Sequence, residues 1–223
     1  MKLHIRTKTF GDKPVLGEIA FEIDDGEFVA LVGNSGVGKT TLLRIVAGLD
    51  RDFVGSRVAP QRIGVVFQEP RLLPWHTVAE NVLLATDLAD GHERATQSLA
   101  EVGLAGLADA YPRTLSLGQS RRASLARALA SGAELLLLDE PFVSLDESAA
   151  EDLRSLLDHM WRKQHLRILL ITHDIEEASR LAQRVLVVAG SPARLVADLA
   201  TGRSGSFGEA KPAVVEQIRN ALR

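Results

Sequence analysis

Residues 33–40 have the side-chain types and the spacing to hold the phosphates of a nucleotide. Their sequence, Gly-Asn-Ser-Gly-Val-Gly-Lys-Thr, matches the phosphate-binding loop G-x-x-x-x-G-K-[ST]. Glycines let backbone N–H groups approach an anion, and a following helix directs its N-terminus at it. We expect Lys39 to contact the β- and γ-phosphates and the Thr40 hydroxyl to bind Mg²⁺. The alternative is an ordinary glycine-rich turn with an exposed lysine.

The segments on either side of this loop favour phosphate binding over an ordinary turn. An apolar, strand-like run precedes the loop at residues 27–32, and a helical stretch follows it at residues 41–47. The residues predicted to contact the nucleotide here are Gly33, Asn34, Ser35, Gly36, Val37, Gly38, Lys39, Thr40 and Thr41.

Two acidic residues, Asp139 and Glu140, follow the leucines of residues 135–138. Such a run predicts a buried strand, and open α/β sheets bind ligands at the carboxyl ends of their strands. We expect Asp139 to hold the Mg²⁺ complex and Glu140 to polarise an attacking water. The alternative is that the two acids form a helix N-cap.

Apolar runs alternate with amphipathic stretches along the chain, which predicts an α/β fold with a parallel sheet covered on both faces. Strand-like runs occur at residues 2–9, 18–23, 63–67, 168–172 and 184–188, the first two predicting antiparallel strands. Helical patterns occur at residues 78–88, 95–102, 153–160, 175–182 and 213–222. Residues 50–62 form a polar separating stretch, residues 70–132 predict an all-helical insertion, and residues 201–208 form a Gly/Ser-rich linker.

The overall composition excludes several classes of protein. Hydrophobic residues make up 46% and charged residues 25% of the 223 residues, which is typical of a globular domain. The net charge of -3 provides no global attraction for nucleic acid, and the absence of cysteine excludes disulfides and thiolate sites. The first residues lack the apolar core of a signal peptide, and no apolar run is long enough for a membrane span. We therefore expect a cytoplasmic protein.

A further motif, Leu115-Ser116-Leu117-Gly118-Gln119, stands before a predicted helix and upstream of the two acids. It resembles the signature sequence of ATP-binding cassette (ABC) ATPases, and the likeness extends over roughly residues 1–200. Gln68 stands where the family has its Q-loop, residues 144–146 resemble the D-loop, and residues 172–174 resemble the switch histidine segment. Phe10 stands where the family stacks an aromatic ring on adenine.

The resemblance implies the family's fold and assembly. The fold is a P-loop NTPase (RecA-like) core with an N-terminal antiparallel β-subdomain and the inserted helical subdomain, followed by a linker and short helix at residues 201–223. Two copies would enclose two ATP molecules head to tail, each nucleotide contacting Ser116, Gly118, Gln119 and Asp146 of the second copy. A helix N-terminus at Gly118 is physically suited to an anion. The alternative is a plain helix start with a serine cap.

Three single residues have roles that the resemblance implies. Leu117 stands where the family usually has glycine, so this loop must keep ordinary dihedral angles or be strained. His173 would bridge the γ-phosphate and the attacking water, although a structural histidine is the alternative. Gln68 would ligate Mg²⁺ and act as the hinge into the helical insertion, although a plain strand-end amide is the alternative.

The remaining histidines are expected on the surface: His4, His76, His92, His159 and His165.

The resemblance also implies a membrane partner. Residues 73–82 and 187–196 are similar to importer ATPases of the nitrate, sulfonate and taurine group. The permease would dock on the segment from Arg71 to Asn81, where Leu72, Leu73 and Trp75 are expected to be exposed unless Trp75 packs inside the helical subdomain. The chain would lie peripherally on the inner face of the cell membrane, and a periplasmic or extracellular solute-binding protein would be an indirect partner.

Two other functions stay open from the sequence. One is an ABC ATPase without a transport role, which would normally have a paired cassette or extra arms. The other is a small-molecule P-loop kinase, which would need an acceptor site and lid arginines instead of the L-S-x-G-Q motif.

Overall fold

The computed structural model describes residues 1–86, 90–202 and 207–223. The chain forms two compact units, one of residues 1–60 with 161–223 and the other of residues 61–160. Residues 87 and 88 of the helix expected over residues 78–88, and residues 203–206 of the linker expected over residues 201–208, lie outside the described residues.

The secondary-structure elements follow one another in a mixed α/β order. The strands are β1 (Lys2–Phe10), β2 (Lys13–Leu16), β3 (Ile19–Glu22), β4 (Phe28–Val32), β5 (Val54–Val58), β6 (Ile63–Val66), β7 (Leu135–Asp139), β8 (Arg167–Thr172), β9 (Arg184–Ala189) and β10 (Arg194–Ala200). The α-helices are α1 (Lys39–Val46), α2 (Val78–Leu83), α3 (Gly91–Glu101), α4 (Leu117–Ala130), α5 (Glu147–Gln164), α6 (Ile175–Leu181) and α7 (Pro212–Ala221).

An antiparallel sheet at the N-terminus of the first unit is built around β1. Strands β2 and β3 flank β1, and β5 also pairs with β1 in antiparallel register. The predicted antiparallel pairing of the first two strand-like runs is therefore confirmed. The polar separating stretch of residues 50–62 contains a strand that the sequence did not predict, β5. Most side chains of β5 are exposed, and the strand is held by its backbone pairing with β1. Its sequence therefore does not alternate between apolar and polar residues, and the pattern did not predict it.

A second sheet of the first unit carries the phosphate loop. In this unit β4 lies between β8 and β9 and is parallel to both, and every residue of β4 is buried. Strand β10 pairs with β9 in antiparallel register, a strand that the sequence pattern did not predict. Under β4, the Phe28 and Trp161 rings meet edge to face, and Trp161 Nε1 donates to the Gly26 carbonyl at 2.8 Å. The buried side chains of α7 are Val214, Val215 and Ile218.

The second unit combines two parallel strands with packed helices. Strands β6 and β7 run parallel, with Ile63 opposite Leu135 and Val66 opposite Leu138. Helix α2 ends at Leu83, earlier than the pattern suggested, because the backbone N–H and the hydroxyl of Thr86 both donate to the Leu83 carbonyl. Helix α3 starts at Gly91, earlier than expected. Nowhere in the described parts of residues 67–134 does a strand occur.

None of the helices in the described ranges has the length and apolar character that a bilayer crossing requires.

Candidate nucleotide-binding and hydrolysis site

The phosphate loop joins the buried strand β4 to helix α1 in the first unit. Lys39 is the first residue of α1, and only 9% of its surface is exposed. Its Nζ donates to the carbonyl oxygens of Gly33 at 2.7 Å and Asn34 at 3.2 Å. The Lys39 ammonium group therefore lies over the phosphate loop, where a bound phosphate would contact it.

The backbone of this loop requires glycine at two positions. A Cβ at Gly33 would lie 2.6 Å from the Val188 carbonyl oxygen, and Gly38 has a φ of 114° with a Cβ position 2.7 Å from Leu16 Cδ2. Helix α1 has no side-chain cap and no acid in its first turn. No acid in the first turn of the helix itself therefore offsets its first N–H groups and the positive end of its dipole. The loop suits the phosphates of a nucleotide.

The Thr40 side chain lies at the second position of α1 and is exposed. Its hydroxyl offers an oxygen atom, the type of ligand that Mg²⁺ prefers. The described residues contain no cluster of three or more His, Cys, Asp or Glu that could hold a metal. A single exposed hydroxyl suits an ion held largely by phosphates and water, as Mg²⁺ commonly is.

Phe10, the residue predicted to contact the base, is the last residue of β1. Its side chain is large and apolar, and yet 56% of its surface is exposed. The Nζ of Lys8 lies 4.7 Å from the centroid of its ring. An exposed aromatic ring of this kind offers a stacking surface.

His173 follows β8 directly and is exposed at the start of α6. The backbone around it is fixed by two hydrogen bonds, since the Asp174 N–H donates to the Thr172 hydroxyl at 3.0 Å and the Asp174 carboxylate accepts from the Glu177 N–H. The imidazole therefore projects from a well-defined strand-to-helix turn. Of the histidines expected on the surface, His4, His92, His159 and His165 are exposed, and His76 is half-buried.

In the second unit, Asp139 ends β7 and is 8% exposed. Glu140 follows with a φ of 47°, in the left-handed region that is uncommon for a non-glycine residue. Neither acid caps a helix, because the next helix, α5, begins at Glu147. A buried acid and a backbone outlier at a strand end are features that cluster at functional sites.

Gln68 is exposed just beyond the end of β6. The carbonyl of the preceding residue, Phe67, accepts a hydrogen bond from Arg121 Nη1 at 3.2 Å, and Arg121 Nη2 donates to the Val143 carbonyl at 3.2 Å. Arg121 is 3% exposed. Its burial lowers the pKa of the guanidinium, and the charge of Asp139 opposes that shift.

Arg121 ties helix α4 to the segments that hold Gln68 and Glu140, and the sequence interpretation did not identify it. A signal was present in the sequence. Arg121 shares the buried face of α4 with Leu125 and Ala128, at positions i, i+4 and i+7, where an arginine needs hydrogen-bond partners.

The L-S-x-G-Q motif forms the first turn of α4. Ser116 is the N-cap, its Oγ accepts from the Gln119 N–H at 3.2 Å, and Gln119 Oε1 accepts from the Ser116 N–H at 2.8 Å. The serine-capped helix start is therefore present, and it presents the helix N-terminus that an anion site requires. Leu117 is the first helical residue, has no positive φ and is 41% exposed. The loop thus keeps ordinary dihedral angles.

Because Leu117 is exposed and unstrained, we expect Leu117→Gly to hydrolyse ATP at a rate no lower than that of the parent protein. Glycine at an exposed helix position lowers stability by about 0.5–1 kcal/mol at most. The measurement is phosphate release at saturating ATP, with thermal unfolding in parallel. A large loss of hydrolysis at unchanged stability would show that the leucine side chain contributes to turnover.

Asp146 stands immediately before α5 and is exposed. Its Oδ1 accepts from the Ala149 N–H at 2.9 Å, so its carboxylate caps that helix. Two residues earlier, Ser144 has a φ of 65°. The D-loop segment is therefore a tight turn closed by a capping acid.

The segment of residues 71–81 is held in place by Asn81. This side chain is fully buried, and its Nδ2 donates to the carbonyls of Leu73 at 3.1 Å, His76 at 3.2 Å and Thr77 at 2.9 Å. Its Oδ1 accepts from the Leu73 N–H at 2.7 Å. One amide thus closes the loop on which Trp75 stands.

Trp75 is 68% exposed, so it does not pack inside the helical region. The expected exposure of Leu72 and Leu73 holds only in part, because both are half-buried. The Asn81 hydrogen bonds draw the Leu73 backbone inward, which explains the difference. Glu80, on the same segment, is a carboxylate whose pKa is lowered chiefly by the Thr77 backbone N–H.

These features define a class. A phosphate loop on a buried parallel strand, a switch-type histidine, a buried acid at a strand end and an L-S-x-G-Q helix start are the parts of a cassette-type P-loop ATPase. The ABC transporter family matches residues 16–143, and the chain therefore belongs to the ABC transporter family.

Two relatives and one solved structure support this membership. The chain is 49% identical to the aliphatic sulfonates import ATP-binding protein SsuB 2 of Streptomyces avermitilis, over 84% of the chain and 76% of that protein. It is 48% identical to the SsuB protein of Granulibacter bethesdensis, over 84% of the chain and 79% of that protein. It also resembles a dimeric ATP-binding cassette solved in a post-hydrolysis state with ADP and phosphate, at 27% identity and a TM-score of 0.74, covering 91% of this chain and 99% of that one.

The comparisons confirm the predicted fold class and family. The chain is an ABC-type ATPase, the ATP-hydrolysing subunit of an importer, in the group that the sequence indicated.

Proposed function

We propose that this subunit drives the import of aliphatic sulfonates or chemically similar small solutes through a membrane permease. The observation that supports this cargo most directly is the 49% identity to a sulfonate import ATP-binding protein over most of both chains. The cargo would be selected by the permease and by an extracytoplasmic solute-binding protein. This subunit would supply the energy.

The chemical step would be hydrolysis of the γ-phosphate of ATP. Glu140 would accept a proton from the attacking water, and His173 would hold that water against the γ-phosphate. Lys39 and the N–H groups of the phosphate loop would bind the triphosphate through charge-assisted hydrogen bonds. Phe10 would stack on the adenine ring.

Thr40, Gln68 and Asp139 would hold Mg²⁺, since their hydroxyl, amide and carboxylate oxygens are suitable ligands. When bound, the ion would neutralise charge that develops on the phosphates.

Two copies would act together, as the dimeric relative suggests. The second copy would contribute Ser116, Gly118, Gln119 and Asp146 to each nucleotide. An exposed Leu117 at the tip of α4 supports this arrangement, because it leaves the helix N-terminus accessible. ATP binding would hold the copies together, and hydrolysis would release them.

The permease would bind the segment of residues 71–81 and hold the subunit on the inner face of the membrane. A tryptophan that is 68% exposed on a loop ordered by Asn81 supports this docking surface. Aromatic residues are enriched at the centres of protein interfaces.

We expect Trp75→Ala to abolish most co-purification with the permease, because a buried aromatic anchor contributes about 2 kcal/mol or more at an interface, roughly a 30-fold loss of affinity. The measurement is the amount of permease retained by the tagged subunit in detergent. Tyr111→Ala is the matched control, since Tyr111 is also an exposed aromatic of the second unit, outside this segment. Equal retention by both variants would exclude residues 71–81 as the docking surface.

The cargo is tested by reconstitution. The tagged subunit is purified from its native membrane with the associated permease, and both are placed in vesicles with the cognate solute-binding protein. We expect an alkanesulfonate to raise ATP hydrolysis and to enter the vesicles, and nitrate to do neither. Stimulation by nitrate alone, or by neither solute, would contradict the proposed cargo while leaving the ATPase assignment intact.

A further inference from the structure

Lys8 is a buried cation that none of the proposed roles uses. It lies on β1 with 2% of its side chain exposed. Its Nζ is 3.0 Å from Asp50 Oδ1 and 3.2 Å from Asp52 Oδ2, and it donates to the Asp52 carbonyl. These acceptors match the three N–H bonds of an ammonium group. Isolated burial would be strongly unfavourable, so this lysine depends on its partners.

The charge of Lys8 is secure at neutral pH. Burial by itself lowers the pKa of the ammonium, but the hydrogen bonds and charges of Asp50 and Asp52 outweigh burial and raise the pKa above its ordinary value. The carboxylates of Asp50 and Asp52 are 13% and 96% exposed, respectively, so Asp50 is the more enclosed partner.

The same ammonium group lies 4.7 Å from the centroid of the Phe10 ring. A cation at this distance from an aromatic face attracts the ring and limits its movement. Phe10 keeps more than half of its surface exposed, so the ring that Lys8 contacts is still accessible.

Asp50 and Asp52 belong to the loop that follows α1, the helix of the phosphate loop. That loop is attached to the helix, since the N–H groups of Leu49 and Asp50 both donate to the Arg44 carbonyl, at 2.8 and 3.1 Å. Within the loop, the Asp52 N–H donates to Asp50 Oδ1 at 3.0 Å. Lys8 therefore connects the helix that starts with Lys39 to the strand that ends with Phe10.

We propose that Lys8 is a positioning residue for the nucleobase, fixing the Phe10 ring at a set distance from the phosphate loop through its contacts with Asp50 and Asp52. The inference rests on the proposed function, in which Phe10 stacks on adenine. A ring already held in place loses little freedom when the base binds, which favours affinity. Lys8 would thus act on the base and not on the triphosphate.

The test compares a ligand that has a base with one that lacks it. In Lys8→Met, which keeps the length and apolar stem of the side chain, we expect ATP to bind about tenfold more weakly and inorganic tripolyphosphate to bind as in the parent protein. Affinities are measured by calorimetry at fixed Mg²⁺. Lys2→Met is the matched control, since Lys2 lies on the same strand in an exposed ion pair with Glu22, and it should change neither affinity.

Two further variants protect this test against a folding artefact. Asp52→Asn removes one carboxylate at an exposed position, so the protein should fold and show the same selective loss in smaller degree. Lys8→Met placed in a Phe10→Ala background should weaken ATP binding no further than Phe10→Ala alone, because the lysine acts through the ring.

The outcomes separate this inference from the proposed site. If Lys8→Met or Asp52→Asn weakens ATP and tripolyphosphate equally, or if the Lys8 and Phe10 effects add, Lys8 only stabilises the sheet and the inference is overturned. If Phe10→Ala leaves ATP affinity unchanged, the proposed stacking role of Phe10 is itself wrong.

Discussion

We expect Glu140→Gln to lower the steady-state rate of ATP hydrolysis by about 100- to 10,000-fold, the usual contribution of a positioned general base. Glutamine has the shape of glutamate but cannot accept the proton of the attacking water. Nucleotide binding does not require that proton transfer, so ATP should still bind. We therefore expect the variant to accumulate as an ATP-bound dimer.

Two measurements check this result. Phosphate release with no added acceptor gives the turnover, and light scattering after size-exclusion chromatography in Mg²⁺-ATP gives the mass. Glu134→Gln is the control, because Glu134 stands at the other end of β7 in an exposed ion pair with Arg62. Unchanged hydrolysis in Glu140→Gln would remove this residue from the mechanism. A strictly monomeric variant in ATP would contradict the shared-site arrangement.

Lys39→Ala is expected to weaken ATP binding about 10- to 150-fold. A hydrogen bond to a charged group contributes about 1.5–3 kcal/mol, and the variant loses at least one such bond to phosphate. The loop itself is also affected, because Lys39 Nζ donates to the Gly33 and Asn34 carbonyls. Calorimetric titration with ATP measures the affinity directly.

Lys13→Ala is the matched control for this second variant, since Lys13 lies on β2 with an exposed side chain. Thermal unfolding without nucleotide shows whether the loop change alters stability. A normal ATP affinity in a folded Lys39→Ala protein would discredit residues 33–40 as the phosphate site.

The parts of the fold that the sequence predicted well are those with local signals. The phosphate loop carries its own glycine spacing, and β7 is a run of leucines buried on both faces. The strands that it did not predict, β2, β5 and β10, are partly exposed and owe their existence to backbone pairing with a neighbouring strand. Pairing of that kind is a long-range property that a short window of sequence does not contain.

The positioning residues were missed for a related reason. Lys8, Asn81 and Arg121 are charged or polar residues that are 3% exposed or less, and residues of these types are usually on the surface. Only the fold shows that backbone carbonyls and carboxylates converge on them. The residues proposed to meet the nucleotide were found from motifs, whereas the residues that hold those motifs in place were found only from contacts.

The loop closed by Asn81 has a consequence for how durable the transport complex is. A segment whose backbone is already ordered loses little conformational entropy when a partner covers it, so a small contact area can still give a long residence time. If the permease docks on residues 71–81 as proposed, we expect the subunit to remain on it through many rounds of turnover, and not to exchange with a free pool between them.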